Sequence, residues 1–335
     1  MRLGVLGYAD HSGLGAMTAA FITQLGAVKH LAPSNEGKTP PWATDLAPWT
    51  HRSAAWTPTP AEVRDFLRDL DVVVTVETDY RSDLAAEARA AGVRSVLLPM
   101  WEWQGEPFRY PGFDRYICTS RIGYAKCPMP NKCYAPWPVS EHVINLVGGA
   151  PVRRFLHNAG HGGLHDRKGT IDCVRGFLAF DHPDCTLILR SQVPLERINP
   201  DLPALCASDP RIDVRLGHVT SDERYTGAEA YLYPARLDGQ AMVPAEAMWS
   251  GLLTFVTDAA PMNEYHLHPR QYLPCRPIET RDIAGQRVTY HACTPEGIAA
   301  ACAWAASGPT DGRCDFTDWG ASVSHWRRLL GPDPV

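Results

Sequence analysis

No stretch of the 335-residue chain approaches the roughly 20 consecutive apolar residues that a membrane-crossing helix requires, so no transmembrane segment is expected. The ten cysteines include no C-x-x-C pair, and a chain of this length does not depend on disulfide staples. Positive charge is not in excess. The 32 Lys and Arg face 37 Asp and Glu, a formal charge of -5, so no global basic field points to nucleic acid or an anionic membrane. Short tandem repeats and low-complexity segments are missing too. The opening MRLGVLGYAD has too short an apolar run for a signal peptide and no small-residue cleavage site. The expected setting is a reducing cytoplasm.

What remains is a globular composition, 45% hydrophobic and 21% charged, at a length that argues for two domains. The first half alternates strand and helix signals. Arg2 to Gly7 is a short apolar run ending in glycine, followed by the loop Asp10-His-Ser-Gly-Leu-Gly15 and a helical MTAAFITQL. Thr59-Pro60-Ala61-Glu62 combines a capping box with a proline at the first helical position, opening a helix through Leu70. Asp71 to Val76 is a β-branched strand, Ser82 caps a helix stopping at Gly92, and Val93 to Leu98 is the next strand. This order predicts a parallel sheet covered on both faces.

The pattern breaks between Gly105 and Val139 and restarts at Val152. Strands are expected at Arg153–His157, Thr186–Arg190, Ile212–Leu216, Tyr231–Pro234 and Thr254–Thr257, with a helix over Lys168–Phe180. A last helix over Asp315–Leu330 carries Trp319 and Trp326, which would pin it to a domain surface. Two doubly wound domains follow, with ligands expected at strand carboxyl ends.

Two segments carry chemistry. Asp238-Gly-Gln-Ala-Met-Val-Pro-Ala-Glu246 follows a strand and runs into a helix with Pro244 and Glu246 in its first turn. Two carboxylates thus bracket a loop and a helix N-terminus, where backbone N–H groups and the helix dipole favour anions. A nucleotide sugar needs these features together; alternatively Asp238 is a turn residue and Glu246 completes the first turn. Asn158-Ala-Gly-His-Gly-Gly-Leu-His-Asp-Arg-Lys-Gly169 follows another strand and opens another helix. A glycine-rich turn with adjacent cations is suited to a pyrophosphate.

Both segments resemble the retaining glycosyltransferases of the GT-B fold, particularly family four. Asp238, Gly239, Glu246, Ala247, Met248 and Gly251 occupy the places of that family's donor signature, and Glu264 resembles an acid often found beyond the next strand. Lys168-Gly169 matches its Lys-Gly, Arg167 precedes it, and His161 stands where an Arg is usual. Asp replaces the customary Glu at 238, and Gln240 replaces an aromatic residue. The loop with Gly13 and Gly15 resembles the family's N-terminal glycine loop, and Tyr134-Ala-Pro-Trp-Pro-Val139 its hinge. A dinucleotide fingerprint would need glycine where Thr18 stands.

The resemblance implies two Rossmann-like domains facing a central cleft: an acceptor domain over residues 1–140, a donor domain over 145–312, and a terminal helix over 315–335 packing back toward the first. It implies transfer of a sugar from a nucleotide-sugar co-substrate (UDP-, GDP- or similar) to a hydroxyl, with retention and without metal or other cofactor. Lys168, Arg167 and His161 would hold the phosphates, Asp238 the sugar hydroxyls and Glu246 the ribose. Gly13, Gly15, Gly160, Gly162 and the stretch Gly239, Gln240, Ala241, Met242 and Val243 would line the donor. The acceptor would be a glycan, a small molecule or a base in viral-type DNA.

Acceptor contacts are expected at strand ends of the first domain, at Asp10, His11, Glu77, Trp101 and Glu102. Glu102 lies between two tryptophans and reads either as a desolvated, sugar-binding carboxylate or as part of a surface loop with packed tryptophans. Arg109, Arg115, Arg121, Lys126 and Lys132, interleaved with Tyr110, Phe113, Tyr116 and Tyr124, read as a solvated face or as a patch for a polyanion such as DNA. Cys118, Cys127, Cys133 and His142 lack the spacing of a zinc site and read as ordinary thiols. Rival functions are a non-catalytic nucleotide-sugar-binding protein and a nicotinamide-dependent oxidoreductase.

Overall fold

The computed structural model describes residues 1–37, 39–139, 150–163, 166–220, 223–309 and 317–331. His142 and the expected domain junctions at 145, 312 and 315 lie outside the described residues. The chain divides into two compact units, one of residues 1–140, 282–286 and 317–335, the other of residues 141–281 and 287–316.

The first unit is built on seven parallel strands, β1 (Leu3–Leu6), β2 (Lys29–Ala32), β3 (Trp49–Arg52), β4 (Val72–Glu77), β5 (Arg94–Pro99), β6 (Arg115–Cys118) and β7 (Lys132–Tyr134). Their order is β3-β2-β1-β4-β5-β6-β7. Strand β1 pairs with β2 on one side and β4 on the other, with Val5 opposite both His30 and Val74. Helices α1 (Gly13–Thr23), α2 (Pro60–Leu67), α3 (Leu84–Ala90) and α4 (Arg121–Lys126) connect the strands. Val72 to Val76 are all buried, as an apolar run covered on both faces requires.

The capping box at α2 forms in full: Thr59 Oγ1 accepts from Glu62 N–H at 3.2 Å and Glu62 Oε2 accepts from Thr59 N–H at 2.6 Å. Helix α2 ends at Leu67, three residues short of expectation, as Arg68 turns to extended backbone. Ser82 does not cap α3; Asp83 stands at that position and makes no capping bond. The segment read as broken contributes two strands, β6 and β7, and the helix α4 between them, capped by Ser120.

The second unit repeats the plan with β8 (Arg154–Gly160), β9 (Thr186–Ser191), β10 (Ile212–Leu216), β11 (Ala230–Tyr233), β12 (Leu253–Thr257) and β13 (Tyr272–Leu273), in the order β10-β9-β8-β11-β12-β13. Helices α5 (Thr170–Ala179), α6 (Leu202–Ala207) and α7 (Met242–Trp249) link them, and α8 (Pro295–Ala306) packs beside α5. Phe155, Phe177, Phe180, Leu232, Phe255 and Ile298 are among its buried core residues. Strands β14 (Cys275–Ile283) and β15 (Gln286–Cys293), unforeseen in the sequence, pair through a tight turn at Ala284 and Gly285, both at positive φ.

Helix α9 (Trp319–Leu330) belongs to the first unit. Asp318 caps it by accepting from Ala321 N–H at 2.8 Å, and Trp319, Ser322, Trp326 and Leu330 form its buried stripe. Both tryptophan rings meet Trp137, at 5.2 Å each between centroids, so the hinge-like Pro-Trp-Pro segment is packed rather than loose.

Candidate functional site

In the second unit the strand order reverses between β8 and β11, which run from the middle of the sheet to opposite sides. Their carboxyl ends therefore open a crevice in which doubly wound sheets take ligands. Both chemistry-bearing segments fall there. Residues 160–169 leave β8, and residues 234–241 leave β11.

A glycine sets how close the two segments come. Gly169 has a φ of 67°, and a Cβ on it would lie 1.9 Å from the Pro234 carbonyl oxygen, so no larger residue fits. This close approach brings Lys168 onto the end of β11. Lys168 Nζ donates to Tyr233 Oη at 2.9 Å and to Asp238 Oδ2 at 3.0 Å, and Tyr233 Oη donates to the same carboxylate oxygen. Asp238 Oδ1 accepts from the N–H groups of Gln240 (3.2 Å) and Ala241 (3.0 Å), with an Arg167 nitrogen at 4.0 Å. Burial alone would push the Asp238 carboxyl up, but Lys168, Arg167 and the Tyr233 hydroxyl hold it far below the usual carboxylate range. Tyr233 moves the other way, raised first by burial and then by Asp238, and so keeps its proton.

The carboxylate of Asp238 thus has about four acceptor positions, all engaged by the protein itself. Asp238 is expected to hold sugar hydroxyls; in the structure its oxygens bond Lys168, Tyr233 and two amides of its own loop. An ammonium has three donors, and two of Lys168's are directed at Tyr233 and Asp238, leaving the third for an incoming anion.

The two helix starts differ. Asp166 caps α5 with both oxygens, Oδ1 accepting from Thr170 N–H at 2.8 Å and Oδ2 from Ile171 N–H at 3.1 Å. Burial raises its pKa to about 6 against the pull of these amides and Arg236. Arg236, bidentate on Asp172 at 2.7 and 2.8 Å, stands beside it. Asp166 thus fills this helix start, and the helix begins at Thr170, not at Lys168 as expected. Helix α7 has no side-chain cap. Its N-cap Ala241 is left-handed, and the amides of Met242 and Val243 meet no acceptor among the described residues.

Glu246 lies in the second turn of α7, not the first. Its Oε2 accepts from Tyr225 Oη at 2.6 Å and Arg224 Nη1 at 3.1 Å, while Oε1 has no partner among the described residues. His161 is exposed beside His218, ring centroids 6.1 Å apart, and burial and that neighbour lower its pKa. Gly160 and Gly162 both take positive φ, and Gly239, Gln240 and Ala241 are buried.

In the first unit, Asp10 is buried and holds its own loop, Oδ1 accepting from Ser12 N–H at 2.9 Å and Oδ2 from Asn35 Nδ2 at 2.7 Å. A Cβ on Gly15 would lie 2.0 Å from the Asp10 carbonyl oxygen, and Ser12 caps α1 through Gly15 N–H. Gly13 begins α1, and His11 is exposed. Trp101 and Glu102 are 4% and 3% exposed, which overturns the surface-loop reading. Glu77 ends β4 at a φ of 71°, rare for a side-chain-bearing residue. Near it, and missed in the sequence, Trp56 is 41% exposed, donates to Tyr8 Oη at 2.9 Å and packs against Tyr80.

The cations of the basic segment each contact the fold, though Arg109, Arg121 and Lys126 remain exposed. Arg115 donates to the Leu329 carbonyl at 2.8 Å, Lys132 to the Tyr124 carbonyl at 2.7 Å, and Lys126, Arg121 and Arg109 lie over the rings of Trp101, Tyr134 and Tyr110. Cys118 and Cys127 are buried, and among the described residues no three metal-ligating side chains gather. Tyr233, Arg224 and Asp166 are the site residues that sequence reasoning missed. Only Asp166 left a trace, an acid within the first turn's reach of a helix start.

No protein-family model and no curated protein sequence match the chain. Solved structures do. The Anabaena protein Alr3699/HepE in complex with UDP-glucose is 14% identical, covering 98% of this chain and 99% of that one, with a TM-score of 0.64. Sucrose-phosphate synthase (tll1590) from Thermosynechococcus elongatus is 12% identical over 98% of both chains, with a TM-score of 0.65. The lipopolysaccharide outer core galactosyltransferase WaaB is 15% identical, covering 78% of this chain and 82% of that one, with a TM-score of 0.55. These likenesses, with the two parallel doubly wound sheets, establish that the chain has the GT-B fold.

Proposed function

We propose that the chain is a glycosyltransferase that moves a sugar from a nucleoside diphosphate sugar to a hydroxyl acceptor. The observation that carries this reading is Lys168, held by Tyr233 and Asp238 beside the uncapped start of α7 at the switch point of the second sheet. A diphosphate placed there would meet a fixed ammonium with a donor to spare, the Arg167 guanidinium and the amides of Met242 and Val243. As the glycosidic C–O bond breaks, negative charge grows on the phosphate oxygen, and these groups stabilise that charge without reorganising. Glu246 Oε1 suits a ribose hydroxyl, with Arg224 and Tyr225 fixing the side chain. His161 strengthens phosphate binding only when protonated.

Uridine diphosphate sugars are the first donors to test, because HepE was solved with UDP-glucose. On the acceptor side the strained Glu77 and the half-exposed Trp56 suit a glycan or small polyol, one bonding hydroxyls and the other packing on a sugar face. Retention at the anomeric carbon follows from the family resemblance and is read from the product by NMR. No side chain in this scheme calls for a metal. The Lys168→Ala variant should lose at least 100-fold in turnover, about 2.7 kcal/mol of transition-state stabilisation, measured by release of the nucleoside diphosphate. Near-normal turnover in that variant would remove Lys168 from the mechanism, and binding without product would favour a non-catalytic nucleotide-sugar-binding protein.

A further inference from the structure

Gln240 is 8% exposed, and neither Oε1 nor Nε2 of its carboxamide has a hydrogen-bond partner among the described residues. Its backbone N–H donates to Asp238, and it directly precedes Ala241, the left-handed N-cap of α7, whose carbonyl accepts from Tyr265 Oη at 2.5 Å. The loop is therefore fixed on both sides of a side chain that is left unpaired. An enclosed amide without partners is costly, and two such atoms on one residue call for a partner that the chain does not supply. An apolar residue of similar size would fill the same space without that cost.

The chemistry of the amide narrows the partner. Nε2 donates and Oε1 accepts. Phosphate oxygens only accept, so a diphosphate would leave Oε1 bare. A sugar hydroxyl both donates and accepts, and a pair of neighbouring hydroxyls satisfies the whole carboxamide. Lys168 and the start of α7 already supply what a diphosphate needs. Resting on the donor reading above, we propose that Gln240 selects the transferred sugar: its carboxamide turns out of its enclosed position about the side-chain torsions and pairs with two hydroxyls of the donor's sugar. Asp238, whose acceptor positions are engaged, leaves that task to it.

Isothermal titration of the full-length chain tests this with UDP, UDP-glucose, UDP-galactose, GDP and GDP-mannose as probes. The wild-type chain should bind one sugar nucleotide at least tenfold more tightly than its bare diphosphate. Gln240→Met should keep diphosphate affinity within about twofold, lose that tenfold increment, and melt no lower than wild type, since an unpaired amide is removed. Gln240→Glu, which keeps the acceptor and loses the donor, should retain less than half of the increment and serves if the methionine variant does not fold. Increments equal in wild type and variants, or missing from the wild type, overturn the role of Gln240. A lower melting temperature with an intact increment overturns it as well, and shows an amide bonded to buried water. A wild-type chain that binds neither UDP nor GDP refutes the donor reading instead.

Discussion

Two carboxylates eight positions apart in one loop and helix meet different fates. Asp238 is saturated by Lys168, Tyr233 and two backbone amides, whereas Glu246 keeps one oxygen open. On the proposed reading the first would act through Lys168 and the second would meet the ligand. Tyr233→Phe preserves the ring and removes one of the two groups that aim the ammonium. Its kcat should fall about tenfold with the donor KM within about threefold, whereas a purely structural role would move neither parameter selectively. Asp238→Asn should lower kcat more than Tyr233→Phe does, because it removes the charge-assisted bond that aims Lys168 and disturbs the amides that shape the loop. His161 gives a test of sign. Its pKa lies below the ordinary value, so a phosphate that binds best to its charged form should take up a proton. UDP affinity should weaken as pH rises from 6 to 8, and titrations in buffers of different ionisation heat should register the uptake. The residues of this network were legible in unequal measure. Lys168, Asp238 and Glu246 stand in a recognisable spacing, but Tyr233 and Arg224 reach the site through tertiary packing, which leaves no local pattern.

At the scale of elements, strand cores and caps read well and helix ends read poorly. The β-branched run of β4 and the Thr59–Glu62 box announce themselves because burial on two faces and reciprocal capping each demand particular residue types. Burial opposes ionisation of Glu62, but bonds from Thr59 N–H, His51, Thr59 Oγ1 and Ser53 outweigh it and lower its pKa to about 2. A depressed carboxylate contributes stability above its unfolded value, and the contribution is lost as pH falls toward 2. Glu62→Ala should therefore cost about 1 kcal/mol at pH 7 and almost nothing near pH 2, as read from urea unfolding. The start of α5 was misplaced by two residues because the helix waits for Gly169, whose left-handed φ and contact with Pro234 no periodicity reveals. Gly169→Ala must strain the backbone and drive apart β11 and α5. It should cost at least about 2 kcal/mol in stability and reduce activity with it.

For the molecule as a whole, two sheets of the same winding order carry separate cores, and the proposed donor groups all lie in the second unit. Without acceptor, UDP at 100 times its Kd should stabilise that unit by about 2.7 kcal/mol. Hydrogen exchange should show the protection in residues 160–169 and 234–246 and leave the first unit unchanged. The alternation that organises both sheets was visible along the chain. The edge strands β3 and β13, the four-residue β2 inside the first sheet and the β14–β15 pair were not, since short or exposed strands have little burial to dictate their composition. Stability should also depend on Asp166 across the acid range. Its native pKa of about 6 exceeds that of an unfolded aspartate, so the native state binds the proton more tightly. Its contribution is present below about pH 4 and declines as pH rises to 6, by up to about 3 kcal/mol, a slope that Asp166→Asn should abolish.

The same carboxylate decides where a visitor can settle. By lodging its own negative group at one helix start, the protein closes a natural berth for anions and leaves the neighbouring start as the open berth. On the proposed donor reading, a diphosphate arriving at the carboxyl ends of β8 and β11 would be turned toward α7 by repulsion from one side and attraction from the other, so its register would be chosen before its sugar had touched anything.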